Sequence, residues 1–168
     1  MFERLNTPEE IFTFKLGSAL TMEQKLVEVL GELEEHANRD QVKRALREHR
    51  QETRQHATNI EQAFKLLGEE VDDSPCPVVE AMAKEAKATI KKTDDSLVDA
   101  VTLAAATESE HYEIAVYETL ITNAEARGAS EVTALLRQNL DQEKHALQTA
   151  RSAMKSIAQQ GVAVGATA

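Results

Sequence analysis

The chain has no tryptophan, a single cysteine and three prolines in 168 residues, and aromatic side chains make up only 4% of it. A lone thiol, Cys76 in a Pro-Cys-Pro segment, excludes an intramolecular disulfide, and no second nucleophile partner stands near it in sequence. With six glycines and three prolines, turn signals are too sparse for an all-β protein, whose short strands need one every few residues. No apolar run approaches the ~18 residues that a membrane helix requires. The opening residues carry neither the basic nor the apolar region of an export signal. Positive charge is also short, with 19 Lys and Arg against 29 Asp and Glu, a formal net charge of −10. Without a basic stripe or tail, neither a nucleic-acid backbone nor a membrane is the expected partner. The expectation is a soluble, cytoplasmic protein.

What is present is mostly helix-former. Ala, Leu, Glu, Lys and Gln dominate, and the length suits one domain with a substantial core. Thr7-Pro8-Glu9-Glu10 reads as a capping box with proline at the first helical position, and apolar residues then keep helical spacing to about Ala37. After a short turn, Asp40 is the predicted cap of a second helix that ends at Leu67 before Gly68. Residues 69–77 read as a loop, and about 78–92 as a shorter amphipathic helix. A third long helix is predicted from about Leu97 to Arg127, closed by Gly128, and a fourth capped by Ser130. The predicted fold is all-α: a four-helix bundle of two helical hairpins, with a short fifth helix in the crossover, spanning residues 1–160. The aperiodic residues 161–168 read as a disordered tail.

Ionisable residues interrupt the apolar stripes. At ~100° per residue, His49, Glu52 and His56 point within roughly 60° of one another, on the face that also carries Val42, Leu46, Ile60 and Phe64. Glu23 interrupts the stripe of the first helix, Glu110 and Glu113 that of the third, and Glu143 that of the fourth. Glu23 to Glu52 spans 29 residues (52 − 23) and Glu113 to Glu143 spans 30 (143 − 113), so equal hairpin arms predict Glu23 facing Glu52 and Glu113 facing Glu143. Burying a carboxylate costs several kcal/mol unless something pairs with it, and no Lys or Arg stands on these stripe positions. Divalent iron or manganese would resolve the conflict, because carboxylate and imidazole donors suit those ions. Tyr112 and Tyr117 read as packing residues, with hydrogen bonding to such a ligand the alternative for Tyr117, one turn after Glu113. His111 and His145 face away from the stripes.

The segments Met22-Glu23-Gln24-Lys25-Leu26, His49-x-x-Glu52-Thr53, Glu110-His111-Tyr112-Glu113-Ile114-Ala115-x-Tyr117 and Leu140-x-x-Glu143-Lys144 carry a resemblance. From about Thr7 to Ser156 the chain resembles the YciF/YciE-like family of bacterial stress-associated proteins, within the ferritin-like superfamily. That resemblance implies a ferritin-like bundle, a homodimer, and a dinuclear iron or manganese centre. Characterised dinuclear members of the superfamily carry Glu-x-x-His on the second and fourth helices. Here Gln55 and Ala146 stand three residues after Glu52 and Glu143, leaving His49 or His56 to supply the imidazole on helix two. The expected ligand set is therefore Glu23, His49, Glu52, His56, Glu110, Glu113 and Glu143. The leading expected function is reaction with a small oxidant, peroxide or dioxygen. The alternatives are a structural or interaction dimer with a degenerate site, and iron storage.

Overall fold

Thr7 opens α1 (Pro8–His36) as its sequence predicts. Its hydroxyl accepts from the Glu10 backbone N–H at 3.1 Å, and the Glu10 carboxylate accepts from the Thr7 N–H at 3.2 Å. The computed structural model describes residues 4–165, and beyond α1 it contains α2 (Asp40–Leu67), α3 (Pro77–Ile90), a one-turn 3-10 helix (Asp95–Leu97), α4 (Val98–Ala126) and α5 (Ser130–Gly165). Gly68 and Gly128 end α2 and α4 at φ of 73° and 68°, a left-handed conformation that a Cβ would strain.

Two predicted caps are corrected. Asp40 is the first residue of α2 and caps nothing; Arg39 holds the cap position without a side-chain bond. The donors exposed there go to α4 instead, where the buried Asp99 carboxylate accepts from the Asn38 and Arg39 N–H groups at 2.7 and 3.2 Å. A side chain from the other hairpin thus anchors the turn before α2 rather than capping the helix, a contact that no local sequence window contains. Ser130 likewise lies inside α5, whose first turn already closes from Thr133 N–H to Ala129 C=O at 2.9 Å. The helix runs on through residues 161–165, which were expected to be a disordered tail, and the rest of that tail, 166–168, lies outside the described residues.

The α1–α2 and α4–α5 hairpins dock with α2 against α5 and α1 against α4, closing an all-helical bundle. The crossover loop is pinned to α1, where Ser18 Oγ donates to the Pro75 carbonyl at 3.2 Å. Gly17 meets the same loop so closely that a Cβ would fall 2.8 Å from the Asp72 carbonyl oxygen. From there α3 crosses α4 and α1, burying Val79, Ala86 and Ile90. Among the described residues no helix is long and apolar enough to cross a membrane.

Apolar burial falls into two clusters, each such side chain contributing roughly 1.5–3 kcal/mol. The larger centres on Leu16, Leu20, Ile60, Phe64, Tyr117, Leu120 and Leu136. The smaller gathers Leu30, Leu33, Leu46, Leu103 and Ala150. Read along α2, α4 and α5, the interval between the two clusters is where residues 49–56, 110–113 and 143 lie. A polar layer therefore divides the core.

Candidate metal centre

Each helix of the bundle supplies part of this layer. Seven residues are nearly two turns of helix, so His49 and His56 share one face of α2; Glu110 and Glu113, one turn apart, share one face of α4. With Glu23 from α1 and Glu143 from α5 they are all buried. Their donor atoms form two groups, each within 4.8 Å: His49, Glu110, Glu113 and Glu143 in one, Glu23, His56 and Glu143 in the other. Glu143 belongs to both. Its Oε2 lies 3.6 Å from His49 Nε2, and its Oε1 lies 2.7 Å from His56 Nδ1. His49 Nε2 is also 2.9 Å from Glu110 Oε1, and His56 Nδ1 is 3.6 Å from Glu23 Oε2.

Proximity here is not hydrogen bonding. Glu23 Oε2, His56 Nδ1, Glu110 Oε2, Glu113 Oε2 and both Glu143 oxygens are buried without a hydrogen-bond partner, although His56 and Glu143 are in close contact. Buried polar atoms are nearly always satisfied, and leaving one unpaired costs about 1–3 kcal/mol. The charge count points the same way. Four buried carboxylates and two neutral imidazoles carry −4, which two divalent cations balance. The donor chemistry of each group therefore fits a hard or borderline metal ion, and Glu143 is common to both groups.

Without metal, protons must do that work. Burial raises the pKa of Glu113 well above the usual carboxylate range, and the neighbouring Glu143, Glu110 and Glu23 charges add to it. Burial likewise raises Glu23 and Glu143. For His56 burial opposes the charge, yet the Glu143 and Glu23 carboxylates outweigh it and lift the imidazole to about 10. His49 is raised too, by Glu110 and Glu52 against the same burial.

The structure brings six of the seven predicted residues together and leaves Glu52 outside. Its side chain is 35% exposed, and its carboxylate stands 3.5 Å from His49 Nδ1, the ring nitrogen facing away from the cluster. Thr53, fully buried, holds the place on α2 toward the axis, and its hydroxyl donates to the His49 carbonyl. Glu23 thus faces His56 rather than the predicted Glu52, whereas Glu113 and Glu143 do meet. Glu52 stands where a carboxylate commonly backs a ligating imidazole, but His49 Nδ1 makes no hydrogen bond to it and the two are related by charge proximity alone. Gln142 backs the second ring, with Oε1 3.0 Å from His56 Nε2. That residue was not predicted, although its position beside Glu143 was a signal.

Tyr117 donates to Glu23 Oε1, the alternative that its spacing allowed. Burial, then the Glu23 and Glu143 charges, raise the phenol's pKa well above normal and keep it a donor. Behind it the buried Asn139 amide bonds the Tyr117 oxygen at 3.0 Å and accepts from Asn59 at 2.7 Å. Neither asparagine was predicted; each was a polar residue on an otherwise apolar stripe. His111 and His145 are exposed, and Cys76 is buried with its sulfur 3.4 Å from the Tyr112 hydroxyl.

A four-helix bundle with a crossover helix, crossed at mid-height by carboxylates and imidazoles from all four helices, defines a ferritin-like protein. Within that class the chain belongs to the family described as "Domain of unknown function (DUF892)", whose model matches residues 7–163. It is 31% identical over 142 residues to protein YciF of Escherichia coli strain K12, covering 83% of this chain and 86% of that one. The crystal structure of that E. coli stress protein matches with a TM-score of 0.88 at 27% identity, over 92% of this chain and 99% of the other. YcfI from Rhodopseudomonas palustris, a protein designated structural, matches with a TM-score of 0.86 at 32% identity, over 90% and 98%.

Proposed function

We propose that this chain is a stress-associated ferritin-like protein that holds two iron or manganese ions and reacts with peroxide or dioxygen. The observation that carries the proposal is Glu143, whose two oxygens serve two separate donor groups while making no hydrogen bond. One group offers His49, Glu110 and Glu113 besides Glu143, the other Glu23 and His56. When bound by these residues, iron or manganese would supply the electrons that reduction of a peroxide needs. The chain's own contribution is positional. Gln142 holds the His56 imidazole by its outer nitrogen, Glu52 places a carboxylate near that of His49, Tyr117 holds a proton at Glu23 Oε1, and the apolar clusters above and below exclude water. Association with stress comes from the likeness to YciF, and the expected homodimer is part of the same proposal, read by light scattering.

The test is elemental analysis of protein purified without chelator and after anaerobic reconstitution with ferrous or manganous ion. About two equivalents per chain are expected, falling to one or fewer in Glu143→Gln, since the bridge serves both positions. No metal in either preparation overturns the proposal. The second reading is a metal-free structural or interaction protein. It draws support from the two imidazoles, which as cations pair with Glu110 and Glu143 at 2.9 and 2.7 Å, and from the designation of YcfI. On that reading chelation leaves the melting temperature unchanged.

A further inference from the structure

An apolar cleft of about 110 Å³ opens beside the polar layer, and the chemistry above makes no use of it. Its walls are Leu46 from α2, Leu103 and Ala106 from α4, and Ala146, Ala150 and Ala153 from α5. Its inner end is His49 and Glu110. Five alanines (Ala45, Ala106, Ala146, Ala150 and Ala153) line the cleft and leave space, in an interior where close packing is the rule. The void is somewhat smaller than the roughly 150 Å³ engineered cavity that takes up benzene.

We propose that this cleft binds a short aliphatic molecule with an uncharged, hydrogen-bonding head, its chain along the alanines and its head against His49 and Glu52. The wall chemistry sets the chain, since leucine and alanine make up most of it, with Thr149 the one hydroxyl among them. The polar groups set the head. Three carboxylates (Glu48, Glu52 and Glu110) line the cleft against two imidazoles, and Glu110 and Glu52 already engage His49. An anionic head is repelled there, and a hydroxyl or hydroperoxide can donate to the Glu52 carboxylate, which is partly exposed, stands beside His49 and belongs to neither donor group. Primary alcohols and alkyl hydroperoxides are thus in the class. Only the extension to hydroperoxides as oxidants rests on the dinuclear reading.

The experiment is NMR titration of the full chain after chelation, following the Leu46, Leu103 and Ala106 methyl groups, with 1-propanol, 1-butanol, 1-pentanol and pentanoate as probes. Saturation-transfer NMR repeats it on protein as purified. Expected are saturable shifts confined to these methyls, tightening roughly fourfold per added methylene, with pentanoate at least tenfold weaker than pentanol. The partly exposed wall residue Ala146 allows the cleft to be filled by Ala146→Phe, which abolishes the shifts; Ala153→Leu serves if that variant does not fold. Shifts scattered over the surface, equal binding of pentanoate, or binding that survives the filled cleft overturns the proposal. Metal content measured on the same preparations separates the two ideas. Alcohol binding without metal loading removes the dinuclear reading alone, and loading without alcohol binding removes this one alone.

Discussion

At Glu143 a single carboxylate faces an imidazole from each of its oxygens, and around it every charge depends on its neighbours. Tyr117 differs, because its contribution can be isolated. Its hydroxyl donates to Glu23 and in turn accepts from Asn139. Tyr117→Phe removes both bonds, keeps the ring, and leaves Glu23 Oε1 and an Asn139 N–H short of partners. The expected result in metal-free protein is a loss of about 1–3 kcal/mol in urea unfolding. The loss should shrink in loaded protein, where the ions hold Glu23 instead. An unchanged midpoint in metal-free protein would place the hydrogen bond outside the energetics of the site. Glu52 teaches a related lesson. On a helical wheel it lies about 60° from His49, on the opposite side from Thr53 at about 40°. The buried arc of α2 extends toward Thr53, so the glutamate falls at its margin. From sequence alone a carboxylate draws the eye as a ligand and a threonine does not. Which side of an arc faces the axis is set by neighbouring helices, and a single strand of sequence does not record it.

Elements were more legible than their joints. The stripes of α1, α2, α4 and α5, the capping box at Thr7 and the left-handed stops at Gly68 and Gly128 all follow from local chemistry, and the structure has them where the sequence places them. Asp40 and Ser130 were read as caps because such residues usually are, but both lie one position inside their helices. The turn before α2 is served from a distance by Asp99, a contact that links the two hairpins. Asp99→Ala should therefore behave as a lost turn anchor and a lost docking contact together, costing about 1–3 kcal/mol through the unpaired backbone donors. Hydrogen exchange would check it, with protection lost at the start of α2 although the substitution is in α4. Loss confined to α4 would contradict the assignment.

For the whole molecule, the divided core makes stability depend on pH and metal together. Glu23, Glu113 and Glu143 have folded-state pKa values above their unfolded ones, and so has His56, raised from 6.5 to about 10. Groups of this kind bind more protons when folded, so the stability they give is complete below the unfolded pKa and is lost as pH rises through the folded one. The melting temperature of metal-free protein should fall between pH 6.5 and about 10, the interval over which His56 is protonated only when folded. Loaded protein should not fall over that interval, because divalent ions replace the protons and bind more tightly as the ligands deprotonate. Parallel curves for the two forms would contradict the metal reading.

The polar layer draws its ligands from both hairpins, and neither hairpin alone holds either donor group: α1 and α2 give Glu23, His49 and His56, whereas Glu110, Glu113 and Glu143 come from α4 and α5. Each hairpin is built from local contacts of the kind that form early in folding. Their union is the step that buries four carboxylates. On the dinuclear proposal, ions held between the hairpins would oppose their separation, so loaded protein is expected to unfold more slowly than metal-free protein in the same denaturant. Metal would then be the pin of a clasp, and chelation would draw it.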